Sequence, residues 1–219
     1  MALSKLNFNS LNVTPTASKG IGFDSGADDL EASFSGGSMV FIKKLTASSS
    51  GTLSFVDGAS GVVLDNTYKE YLFTFNNIHP EEDNRNFGFT LSIDGGSNYN
   101  IVKTTTLFFA YHDEGDSGTG LGYQAAKDLA QGTGNQMVLV ETGNDNDQSA
   151  SGHLRLFNPS STTFVKHFTA ESNTYEASNN SMHCFIAGYG NTTSAINAIQ
   201  FSMSSGNTDS GIIKLYGIS

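Results

Sequence analysis

Residues 67–78, TYKEYLFTFNNI, decide the fold. Tyr71, Phe73 and Phe75 fall on one face with Lys69 at the end of that register, and Glu70, Thr74 and Asn76 fall on the other. A period of two with apolar and polar faces is the mark of a strand with one side in a core and one in water. The next run, residues 86–94 (NFGFTLSID), repeats the pattern with Phe87, Phe89, Leu91 and Ile93. Asp94, Gly95 and Gly96 then supply turn chemistry before residues 99–113, YNIVKTTTLFFAYHD. The three runs read as consecutive antiparallel neighbours.

Outward from this centre, residues 38–47 and 52–57 precede it as strands, and NQMVLVE, HLRLFN, TTFVKHFTA, MHCFIAGYG, AINAIQFSMS and GIIKLYGIS follow, eleven runs in all. Long helices of the kind that join parallel strands are missing from the pattern. Residues 123–132, YQAAKDLAQG, read as a helical turn or two, with Ala125, Ala126, Leu129 and Ala130 between Gly122 and Gly132. The expected fold is all-β, an antiparallel β-sandwich with jelly-roll closure.

Residues 1–37 differ. Leu6, Phe8, Leu11, Ile21 and Phe23 are scattered among Asn, Ser, Thr and Gly without sustained periodicity, too sparse for a core of their own. The expected organisation is an N-terminal extended arm, 1–37, that docks on something else, and a sandwich domain, 38–219.

Composition narrows the function. Hydrophobic residues make up 37% and charged residues 15%, which suits strands joined by polar turns. The chain is long enough to bury roughly 70% of its unfolded surface in one core. Its 21 acidic against 11 basic residues give a net charge of −10, which repels a polyphosphate, so nucleic acid is not expected as a partner. No 18-residue apolar run and no apolar leader are present, so neither membrane insertion nor a signal peptide is expected. The lone Cys184, inside CFIAGY, reads as a small buried hydrophobe rather than a reactive thiol.

Residues 112–120, HDEGDSGTG, contain GDSG, the surroundings of the nucleophile in trypsin-like serine proteases. Such a serine needs a histidine base from well upstream and a carboxylate to orient it. Only His79 and His112 precede Ser117, neither in that family's sequence context, and Thr119 stands where the signature has a second glycine. The stretch reads as a polar loop: Gly115, Gly118, Gly120 and Gly122 permit turns, and Asp113, Glu114 and Asp116 keep it in water. Asp145 and Asp147 in GNDNDQS lack the glycine turn and distal acid of a calcium loop. HPEED, residues 79–83, reads as a solvated turn, and His153, His167 and His183 lie in separate apolar runs. No catalytic residue, metal site or cofactor is assigned, and no enzymatic activity is expected.

TYKEYLFTFNNIHP, FGFTLSIDGGSNYN, LFNPSSTTFVKHF and GIIKLYGIS resemble virion structural proteins of marine tailed bacteriophages, over about residues 38–219. The resemblance implies a C-terminal β-sandwich displayed on a tail fibre, a head fibre or as a capsid decoration, behind an attachment segment bound to other virion proteins. It implies localisation to the virion, a homotrimer matching the symmetry of its mount, and contact with a host envelope glycan or protein. The alternative from another class is a cellular carbohydrate-binding module, with Tyr99, Tyr111, Tyr123 or Tyr189 as stacking platforms. The absence of tryptophan counts against it.

Overall fold

The computed structural model describes the backbone of Gly20–Phe23 and Leu30–Phe34 and all of residues 38–219. The chain divides between Val40 and Phe41 into two units. In the first, Gly20–Phe23 (β1) pairs antiparallel with Leu30–Phe34 (β2). The arm thus contains a strand pair that its scattered apolar residues do not signal. Of the expected attachment residues, Ile21 and Phe23 belong to β1, whereas Leu6, Phe8 and Leu11 lie outside the described residues.

Twelve further strands follow, with no helix among the described residues: Met39–Ser50 (β3), Leu53–Val56 (β4), Glu70–Pro80 (β5), Arg85–Ser92 (β6), Lys103–Asp113 (β7), Thr119–Tyr123 (β8), Gln136–Thr142 (β9), Ala150–Phe157 (β10), Lys166–Glu176 (β11), Asn180–Gly190 (β12), Ala198–Met203 (β13) and Thr208–Ile218 (β14). They form two layers. The larger runs β3-β14-β5-β10-β11-β12-β7-β8 and the smaller β9-β6-β13-β4. The ladder between the layers is one antiparallel bridge, Thr142 to Glu176, at the β9/β11 corner.

The inward residues of the alternating runs meet between the layers. Phe201 of β13 packs on Phe73 and Phe75 of β5 at ring-centroid distances of 5.5 and 5.3 Å, and on Phe55, Phe87 and Phe89 of its own layer. Phe89 of β6 meets Phe168 of β11 edge to face at 5.0 Å. Aromatic pairs in these geometries add to the area they bury. The polar parity of β5, Glu70, Leu72, Thr74 and Asn76, faces outward.

Two expectations are corrected. β5, β6 and β7 are not neighbours: β5 lies between β14 and β10, β6 between β9 and β13, and β7 between β12 and β8. Residues 81–84 and 93–102 carry the chain across the core from one layer to the other. Period-two patterning states which side chains face inward, not which layer a strand joins. Residues 123–132 form no helix. The Leu129 N–H donates to Thr105 Oγ1 and its carbonyl accepts from the Thr105 N–H, while Lys103 and Gly132 exchange both backbone bonds. Satisfying the backbone of β7 outweighs the helix preference of three alanines and a leucine.

Candidate functional site: the outer face of the large sheet

The GDSG stretch closes the β7–β8 hairpin. Ser117 donates its hydroxyl to Asp113 Oδ2 at 2.5 Å and its N–H to Asp113 Oδ1 at 2.8 Å. The Ser117 hydroxyl and N–H hold the Asp113 carboxyl below the usual carboxylate range, which makes it a poor proton acceptor. His112 Nε2 faces Asp116 Oδ1 at 3.2 Å. The hydroxyl is thus bonded to a carboxylate and not to a histidine, an arrangement that fixes a turn.

The left-handed residue of this turn is Asp116, at φ 53°, and not one of the glycines. Gly120 is instead required by close approach, because a Cβ there would stand 2.5 Å from the ring of Tyr111. That corrects the reading of Gly120 as a turn former, whereas Gly115 does lie in the turn. The HPEED acids are divided among local partners: Glu82 pairs with Arg85 at 2.8 Å, Glu81 accepts from the Asn207 N–H, and Asp83 accepts from the N–H groups of Asn84 and Asn144. Gln148 closes the GNDNDQS loop by accepting from the Asp145 N–H. Among the described residues, no group of three or more His, Cys, Asp or Glu side chains is placed to hold a metal ion. Cys184 is fully buried, and burial pushes its thiol up to about 12.

The four tyrosines do not converge. Tyr111 shares the inward parity of Leu107 and Phe109 and packs against the core under Gly120, so its reading as a surface contact is corrected. Tyr99 lies over Gly96 in the 93–102 crossing. Tyr123 and Tyr189 do lie on one surface, the outer face of the large sheet. Tyr123 is 56% exposed and donates its hydroxyl to Asp128, which raises its pKa.

That face is ordered in rows by the strand register. One row crosses the sheet as Thr74, His153, Glu171, Phe185, Phe108 and Tyr123. Phe185 and Phe108 stack at 4.9 Å with ring planes 12° apart, and Phe108 is 43% exposed. His183 lies against Phe185 at 4.2 Å, with its Nε2 2.9 Å from Glu171 Oε1. The next row is small at its centre: Thr169, Ala187 and Thr106. Beyond it stand His167 and Tyr189, 6.0 Å apart edge to face. The small row is the floor of a depression of about 250 Å³ lined by Thr106, Phe108, Thr169, Glu171, Phe185 and Ala187.

Separation in sequence hid this cluster, since His153, Glu171 and His183 come from three strands. One signal was available. In MHCFIAGYG both parities are apolar, so one of them must lie away from the core, and in TTTLFFAY the adjacent Phe108 and Phe109 cannot both face inward.

No family model, curated protein or solved structure matches the chain.

Proposed function

We propose that the chain is a non-enzymatic structural protein on the surface of a tailed-phage virion, attached through residues 1–37 and displaying the sandwich as a tail-fibre or host-adhesion component. The observation that carries this reading is the open outer face of the large sheet, where Phe108, Leu121 and Tyr123 stand 43, 78 and 56% exposed. Large apolar side chains left on a sheet face mark an interaction surface.

The strand order supports a jelly roll enlarged for that purpose. Counting β3, β4, β5, β6, β9, β10, β13 and β14 as first to eighth, one sheet runs first, eighth, third, sixth and the other second, seventh, fourth, fifth. We read this as the double Greek key of a jelly roll. The hairpins β7–β8 and β11–β12 are then additions, and both extend the same sheet. The likeness of four stretches to virion proteins of marine tailed phages supplies the setting, and a homotrimer follows from the symmetry of such mounts. A capsid decoration or head fibre is the other position on the particle that the same architecture would serve.

Mass spectrometry of purified particles tests the reading: the chain should be present, and deleting residues 1–37 should abolish its incorporation. Sedimentation of the full chain should give a trimer. Absence from particles would overturn the virion role, and a monomer at high concentration would overturn the trimer.

A further inference from the structure

We infer that the small-residue row Thr169–Ala187–Thr106 is the floor of a binding trough for a neutral polysaccharide chain lying across strands β11, β12 and β7. This inference rests on the adhesion reading above for the source of the glycan, but its geometry is independent of it.

The rows flanking the floor are each two residues away along every strand, so the ridges stand roughly 13 Å apart between Cα positions. One ridge carries Phe185 and Phe108, the other Tyr189 and His167. The Phe185–Phe108 ridge walls one side of the depression, and Thr169, Ala187 and Thr106 leave its bottom open.

The lining suits a ligand that is apolar on its C–H faces and polar at its rim. The ring edges of Phe108 and Phe185 form an apolar wall, and the Thr106 and Thr169 hydroxyls, Glu171 and His153 offer donors and acceptors beside it. Glu171 is held by His183, which keeps one carboxylate oxygen directed while the other can accept a hydroxyl.

The charge distribution excludes anionic chains. The guanidinium nearest the floor, Arg155, is 2.5 Å from Glu70, and the protein carries a net charge of −10. Among the described residues, a nucleic acid or acidic polysaccharide would meet Glu171 beside an Arg155, opposite Thr169, that Glu70 already engages. An extended peptide fits no better: it gains affinity on a sheet by pairing with a free edge, whereas β11 and β12 each have both neighbours in place.

The test uses the full chain. Titration calorimetry against neutral hexasaccharides of glucose, galactose and mannose should give binding to at least one, and an acidic hexauronate should give none. Ala187→Leu fills the floor, and Phe185→Ala removes a wall. Each should weaken binding about tenfold or more, while Asn66→Arg, on an exposed loop away from this face, should leave it unchanged. Melting curves within a few degrees of wild type confirm that both variants are folded, and Thr106→Leu is the reserve if Ala187→Leu is not. No binding to any neutral hexasaccharide, binding only to the hexauronate, or binding indifferent to the floor and wall variants would overturn the trough. A chain present in particles that binds no neutral glycan sinks the trough alone. One that binds but is absent from particles sinks the virion role alone.

Discussion

Lys103 and Lys166 stand on either side of Gly190 in the β7, β12, β11 register, both fully buried. Lys103 donates to the carbonyl of Ile101, and Lys166 to those of Phe164 and Thr192. These bonds hold the loops that enter β7 and β11, but a carbonyl does not neutralise an ammonium. Burial pulls Lys103 down to about 8 from its ordinary 10.5, and lowers Lys166 in the same direction. Between those two values the unfolded chain holds a proton that the folded chain has released, so stability rises with pH across that window. Denaturant midpoints taken from pH 8 to 10 should climb, with Lys103 contributing at most about 3 kcal/mol. Tyr71, whose pKa burial raises, opposes the trend above that range. In Lys103→Met the climb should shrink, leaving the share of Lys166, and stability at pH 7 should rise by about 1–3 kcal/mol. An unchanged pH profile would refute the assignment. Cys184, with its thiol pushed up to about 12, should resist a thiol-specific disulfide reagent in the native protein and react only on unfolding. Labelling at native conditions would show that β12 opens.

Among the elements, the β7–β8 hairpin and the Phe201 cluster lie at opposite ends of the stability range. Among the described residues β8 pairs only with β7, and it presents Leu121 and Tyr123 outward between glycines, so none of its own large apolar side chains reaches the core. Its closure depends on the bonds from Ser117 to Asp113. Ser117→Ala should therefore leave the melting temperature within a degree or two, cost the hairpin about 1 kcal/mol, and speed hydrogen exchange at β8 amides alone. Labelling of Ser117 by a fluorophosphonate would contradict its role as a turn residue. Phe201 touches five other phenylalanine rings across both layers. Phe201→Ala should cost about 3–5 kcal/mol in chemical denaturation, because neither layer can collapse into the space left. These extremes explain what was legible in sequence. Strands with a continuous apolar parity, such as β5 and β6, announce themselves. β8 does not, because TGLGY has no buried parity to display, and so eleven runs were expected where twelve strands form. The trough was legible only as surplus: Tyr123 and Tyr189 were singled out as exposed aromatics, whereas Phe108, Phe185 and Glu171 needed the register of four strands before they became a site.

At the scale of the sandwich, the layers share a broad aromatic interior but, among the described residues, only the Thr142–Glu176 bridge as ladder, so side-chain packing rather than sheet continuity holds them face to face. The outer face keeps its rows because every strand beneath it is paired on both sides from β14 to β7. The register that places Phe185 beside Phe108 is therefore fixed by the same ladder that fixes the inward parity, and the ligand face inherits its rigidity from the core. One further consequence comes from the seating of β14 between β3 and β5. The place between β3 and β5 stays empty until Thr208–Ile218, made more than 150 residues after β3, has arrived. Synthesis thus leaves β3 and β5 waiting side by side with a strand-wide vacancy, open to a neighbouring nascent chain on the same polysome. Ribosome-bound chains stalled before Thr208 should be cut readily by protease and associate with one another, whereas chains stalled well past Ile218 should resist cleavage. Resistance before Thr208 would mean that the vacancy is filled by something other than β14.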